Sequence, residues 1–138
     1  AVPALLTPHA GELATMMKTS RVEVEADPWT FAHRAAKRWN ATVLLKGRRT
    51  LIVSPDGRAT VNLTGTPWLG TAGSGDVLAG LAGSLLAYGL TPLVAGSVAA
   101  HVHGLAAEKV RGGGSFVASE LAQQVALEMA KVMVSHER

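Results

Sequence analysis

The run TVLLKGRRTLIVSPDGRATVNL, residues 42–63, decides the fold. Thr42–Leu45 and Thr50–Val53 are β-branched and aliphatic runs of strand length, parted by a corner at Gly47-Arg48-Arg49. Pro55-Asp56-Gly57 supplies turn chemistry, and a third run follows from Ala59 to Leu63. Three neighbouring strands joined by tight connections are therefore expected.

Toward the N-terminus, Asp27 followed by Pro28 is a helix start, a capping side chain ahead of a residue whose missing N–H is not needed in the first turn. That helix is expected to run to about Trp39, with Asn40 ending it in the left-handed conformation. Earlier still, Leu13, Met16 and Met17 share one face of a short helix over Gly11–Lys18. Leu5-Leu6 ahead of Thr7-Pro8 reads as the end of a strand whose beginning and neighbours are missing, so an incomplete domain is expected.

Toward the C-terminus, a Gly/Thr-rich loop spans Thr64–Ser74. Apolar helical patterns then occupy about Asp76–Tyr88, Thr91–Val110 and Val117–Ser135, with Gly112-Gly113-Gly114 as a turn between the last two. No internal repeat or low-complexity tract interrupts this order. Strands followed by a block of helices, with an earlier helix-strand unit, suit an α/β layer structure.

With 138 residues, 48% of them hydrophobic, the chain can bury one core and reads as a single unit, 1–138. The formal net charge is +3 with the basic residues scattered, and aromatics make up 4% of the chain, so no nucleic-acid footprint is expected. No cysteine is present, which excludes a disulfide framework and thiolate metal sites and is compatible with a reducing cytoplasm, the expected location. The start, AVPALLTPHAGE, has no basic segment ahead of an apolar one, so no secretory signal is expected. Val77–Ala107 contains no charged residue and on hydropathy alone would pass for a membrane span. Gly80, Gly83, Gly89 and Gly96, the Leu90-Thr91-Pro92 break and two histidines argue instead for two small-residue helices within a soluble protein.

The strongest chemical signal is Thr71-Ala72-Gly73-Ser74-Gly75-Asp76, between a strand-loop segment and an apolar helix. Glycines at 73 and 75 let consecutive N–H groups converge at a helix N-terminus, where unpaired donors and the helix dipole favour phosphate. A carboxylate beside such a cradle, Asp76, is unfavourable unless it accepts a proton from an attacking hydroxyl or helps to hold Mg²⁺. The plain alternative is a capped helix behind a glycine turn. Lys46-Gly47-Arg48-Arg49-Thr50 offers an ammonium, a glycine backbone and a hydroxyl to a nucleotide, or is simply a solvated corner. Thr7-Pro8-His9-Ala10-Gly11-Glu12 follows a strand end and opens a helix: His9 can donate to a ligand while Glu12 caps the first turn. His101 and His103, two apart on a helix, do not share a face and cannot pair on a metal; His103-Gly104 reads as helix packing near the nucleotide region.

The order TPHAGE, KGRRT, NLTG with TAGSGDVLAG, then HVHGLAAE resembles the ADP/ATP-dependent NAD(P)H-hydrate dehydratase family from about Leu5 to about Val125. The resemblance implies a ribokinase-like three-layer α/β/α fold, of which this chain supplies the C-terminal half. It implies that His9 and Asp76 contact the hydrated dinucleotide, that Asp76 is catalytic, and that Lys46, Gly47, Arg48, Arg49, Thr50 and Gly75 bind ADP or ATP. Gly73, Ser74 and Gly75 would form the anion hole, Asn62 and Gly65 would shape the crevice, and Mg²⁺ would accompany the nucleotide without a dedicated protein cluster. A homo-oligomer and a missing N-terminal half are further expectations.

One departure stands out, because Ala72-Gly73-Ser74 occupies a place where the family often carries a doubled glycine and a methionine. The loop is closer to the glycine-x-glycine-Asp of sugar and vitamin kinases in the same superfamily. A small-molecule kinase and a non-catalytic nucleotide-binding module are the alternative readings.

Overall fold

A computed structural model describes residues 2–136. In chain order the elements are β1 (Leu5–Leu6), α1 (Ala10–Met17), α2 (Arg21–Ala26), α3 (Pro28–Trp39), β2 (Thr42–Leu45), β3 (Thr50–Val53), β4 (Ala59–Asn62), α4 (Ser74–Ala87), α5 (Pro92–Lys109) and α6 (Ala118–His136). Short 3₁₀ turns cover Pro67–Gly70 and Val110–Gly113. The strands form one sheet in the order β1-β2-β3-β4. β1 pairs parallel to β2, and the other two pairings are antiparallel.

Strand periodicity builds the layers. Val43, Leu45, Leu51 and Val53 point to one face, where they pack on Leu13, Ala14, Val24, Ala32, Ala35 and Ala36 of α1–α3. Leu44 and Ile52 point to the other, against Leu78, Ala82 and Leu85 of α4 and Ala95, Ala99 and Ala100 of α5. Helices therefore cover both faces of a mixed sheet, the three-layer α/β/α arrangement that the family resemblance implies. The alanines let α3 and α5 lie close to the sheet, and at Gly96 an added Cβ would meet Ile52 Cγ2 at 3.1 Å. α6 packs on the far side of α5 through Val102, Ala106, Phe116, Leu121 and Val125.

Helix starts follow the expected chemistry. The Asp27 carboxylate accepts from the Thr30 N–H at 3.2 Å, and Asn40 closes α3 at φ 47°, in the left-handed region. The glycine run after α5 is a turn, with Gly112 and Gly113 at φ 66° and 85°. Three elements depart from the sequence reading. α2 is an additional helix, opened by a reciprocal Ser20–Glu23 capping box, and α4 begins at Ser74, two residues earlier than expected. β4 stops at Asn62 instead of Leu63 because the Asn62 side chain bonds back to Thr64 and turns the chain. Among the described residues no helix is long and apolar enough to cross a membrane.

Candidate functional site

The C-terminal ends of β1 and β2 deliver their following residues to the N-terminus of α4. The Lys46 N–H donates to the Pro8 carbonyl at 2.9 Å, and His9 and Lys46 form an isolated parallel bridge, so TPHAGE and KGRRT lie side by side. From there the Lys46 ammonium reaches α4: a Cβ added to Gly75 would sit 3.0 Å from Nζ. Glycine at 75 therefore keeps open the space that Lys46 uses.

The N-terminus of α4 differs from its neighbours. α1, α2, α3 and α5 are each capped by a side-chain acceptor, from His9, Ser20, Asp27 and Thr91 respectively. α4 is preceded by Gly73 at φ 87° and has no side-chain cap. The Ser74 N–H donates to the Thr71 carbonyl at 3.1 Å and the Val77 N–H to the Gly73 carbonyl at 3.2 Å. Among the described residues the N–H groups of Gly73, Gly75 and Asp76 are left without a protein acceptor. This corrects the expectation for Ser74: its amide is spent closing the tight turn that starts the helix, and the open donors are the glycines on either side together with Asp76. Three free amides at a helix start, next to an ammonium, are chemically suited to receive an anion.

Ser74 is instead an anchor. It is almost fully buried, and its carbonyl accepts from His103 Nε2 at 3.0 Å while its hydroxyl lies 3.3 Å from the same nitrogen. Burial holds the His103 ring below its ordinary value, the Ser74 bond opposes this, and nearby Lys46 adds to the lowering. A neutral His103 avoids placing a second cation behind the helix N-terminus. His101 is exposed, so the two histidines do not share a face, as their spacing requires.

His9 caps α1. Its Nδ1 accepts from the Glu12 N–H at 3.1 Å, and Glu12 Oε2 accepts from the His9 N–H at 2.8 Å. With Nδ1 engaged as an acceptor, the ring proton of the neutral form is carried on Nε2, 3.5 Å from Glu12 Oε1. Glu12 is held below the ordinary carboxylate range, first by that backbone bond and then, against a desolvation penalty, by Lys46 and His9.

Asp76 is exposed, and among the described residues it makes no hydrogen bond or ion pair. It faces a cleft of about 1690 Å³ whose wall also carries His9, Lys46, Gly73, Ser74 and Gly75. Gly47, Arg48, Arg49 and Thr50 line the same cleft, as do Asn62 and Gly65. Arg48 and Arg49 are exposed and unpaired among the described residues. The expected site residues are thus gathered on one surface.

The roof of the cleft is tied down by contacts that no short motif announced. Asn62 Nδ2 donates to the Thr64 and Ala100 carbonyls at 3.2 and 3.1 Å, and the Gly65 N–H donates to Glu108 Oε1 at 2.8 Å. Gly104 lets the loop lie on α5, because a Cβ there would stand 2.6 Å from the Thr64 carbonyl carbon. Glu108 is 43 residues from Gly65, so only the folded chain shows the pair. Among the described residues no three His, Asp or Glu side chains cluster to hold a metal ion.

Residues 1–130 match the family model described as NAD(P)H-hydrate dehydratase. The chain belongs to that family. Among relatives of this NAD(P)H-hydrate dehydratase family member, the ADP-dependent (S)-NAD(P)H-hydrate dehydratase of Neisseria meningitidis serogroup B is 41% identical over 122 residues, covering 88% of this chain and 41% of its own length. Among solved structures, the ADP/ATP-dependent NAD(P)H-hydrate dehydratase of Bacillus subtilis, co-crystallised with ATP and Mg²⁺ and soaked with CoA, superposes with a TM-score of 0.86 at 30% identity, over 94% of this chain and 49% of the other. A ribokinase-like superfamily protein of Enterococcus faecalis V583 superposes with a TM-score of 0.75 at 25% identity, over 92% of this chain and 44% of the other. The fold is therefore ribokinase-like, and the chain spans less than half the length of each of these relatives.

Proposed function

We propose that this chain carries the phosphoryl-transfer part of a site that dehydrates hydrated NADH or NADPH at the expense of ADP or ATP. The observation that carries it is the uncapped N-terminus of α4, with free amides at Gly73, Gly75 and Asp76, the Lys46 ammonium against Gly75, and an unpaired Asp76 carboxylate facing the same cleft. The names of its relatives supply the substrate class.

Each residue has a physical part. Lys46, Gly47, Arg48, Arg49, Thr50 and Gly75 hold the nucleotide, cations and backbone donors meeting its phosphates. His9, through Nε2–H, and Asp76 hold the hydrated dinucleotide. The hydroxyl that water left on the dihydronicotinamide ring is a poor leaving group. Asp76 takes its proton as the oxygen attacks the terminal phosphorus, and the bond from phosphorus to the nucleotide's bridging oxygen breaks. The free amides stabilise the charge that gathers on the phosphoryl oxygens. Loss of phosphate together with a ring proton then restores the carbon-carbon double bond.

Mg²⁺ commonly binds through one or two carboxylates plus substrate phosphates, and the donors here fit that pattern, with Asp76 at the phosphate cradle and no closed cluster among the described residues. When bound it neutralises phosphate charge. We place the reaction in the cytoplasm, and we infer that the crevice is completed by a further stretch of the domain, as the extra length of the relatives suggests, in a homo-oligomer.

The test is to incubate the protein with hydrated NADH or NADPH, ADP or ATP, and Mg²⁺ while following the reduced-nicotinamide absorbance band. Recovery of the band is expected only with nucleotide present. No recovery, with a sugar or vitamin alcohol phosphorylated instead, would replace the dehydratase by the kinase that the glycine-x-glycine-Asp loop also allows.

A further inference from the structure

The cleft extends past the phosphate cradle to an aromatic residue with no assigned part. Trp29 is the second residue of α3, and it is the one Phe, Tyr or Trp on the cleft wall among the described residues. Its place follows from topology. α3 packs on β2 and reaches it through only Asn40 and Ala41, so the two run antiparallel and the start of α3 lies at the same end of the sheet as Lys46. Twelve helical residues rise about 18 Å, more than a four-residue strand spans, which carries Trp29 to the rim.

The ring is held and yet open. The His33 imidazole lies 4.4 Å from it, tilted by 47°, and His33 Nδ1 bonds to the Trp29 carbonyl at 2.9 Å, while the residue as a whole stays 48% exposed. Arg48 and Arg49, exposed and unpaired among the described residues, line the same cleft, so it holds two free guanidinium groups as well as a held indole. The other large apolar side chains on the lining, Val61, Leu63 and Leu69 among them, are aliphatic. A phosphate-bearing ligand with a flat aromatic base matches this pairing of guanidinium groups and indole.

We propose that Trp29 is a stacking platform for the adenine ring of a bound nucleotide whose phosphates lie toward Arg48 and Arg49. This rests on the dehydratase reading in one respect: that reaction brings two adenine-bearing ligands to the cleft, the ADP or ATP and the dinucleotide, and Trp29 takes one of them.

The experiment is equilibrium titration of wild type, Trp29→Ala and Trp29→Phe with ADP and, separately, with NADPH, followed by calorimetry. Loss of a base-stacking contact is expected to weaken one of the two ligands by roughly 5- to 30-fold in Trp29→Ala, with Trp29→Phe within about threefold of wild type. The ligand that weakens identifies whose adenine is held. Both affinities unchanged in Trp29→Ala, or no binding of either ligand to the wild type, would overturn the assignment. A Trp29-dependent ADP affinity in a protein that never restores the reduced-nicotinamide band would keep the platform and remove the dehydratase. Restoration of the band with both affinities indifferent to Trp29 would do the reverse.

Discussion

Asp76 stands at the third position of α4 with its own N–H unused and its carboxylate unpaired, although a helix start would reward it for capping. The side chain is therefore available to a ligand. Asp76→Asn keeps the size and removes the base, so turnover of hydrated NADPH is expected to fall by about 100-fold or more with ADP affinity kept within a few-fold. Steady-state kinetics beside a nucleotide titration check this, and an active Asn variant would take Asp76 out of the chemistry. Most of the site's residue types were legible in the sequence, since TPHAGE, KGRRT and GSGD are local runs. What the runs could not show is which donors stay open: Ser74 looks like part of the anion hole, and only the folded turn reveals its N–H on Thr71 and its carbonyl on His103.

At the scale of elements, the loop above the cleft depends on close approach to α5. Gly104→Ala would push a methyl group into Thr64, whose hydroxyl also bonds the His101 carbonyl. An overpacking cost of about 1–3 kcal/mol is expected, read as a lower thermal midpoint together with weaker nucleotide binding. α6 is clamped to α5 differently. Glu128 is buried and accepts from Lys109 at 2.9 Å, Lys131 at 3.1 Å and Gln124 at 3.1 Å, which together lower it to about 2 from the ordinary 4.5. Because the folded value lies below the ordinary one, the stability this group contributes is present above pH 4.5 and is lost as pH falls toward 2. Glu128→Gln is expected to lower the thermal midpoint at pH 7 and to flatten its decline between pH 5 and about 2.5, measured by calorimetric scans. β2 and β3 could be read from sequence because their apolar runs are continuous and their corners carry glycine. α2 could not, since six residues with Val24 alone buried give no periodicity, although Ser20-x-x-Glu23 was its signal. Glu128 looks like an ordinary surface acid on a polar stripe, and its partner Lys109 lies 19 residues away.

For the whole molecule, the sheet brings two strand ends, a hairpin corner and one uncapped helix to a single cleft, and the remaining helices hold them there. The substrate crevice of an open α/β sheet is built from several strand ends, and this chain spans 41% and 49% of the two dehydratases it resembles. The isolated 138 residues are accordingly expected to bind hydrated dinucleotide weakly and to turn it over slowly, which comparison with a complete relative under the same assay checks; equal rates would contradict it. The central claim is that the substrate hydroxyl becomes a phosphate ester and leaves as phosphate. Its most direct test is to supply NADPH hydrate labelled with heavy oxygen at that hydroxyl, together with ADP or ATP and Mg²⁺, and to find the label by mass spectrometry. The account predicts the label in inorganic phosphate, one atom for each NADPH restored. Label in water, or retained in a stable phosphate ester, would contradict it.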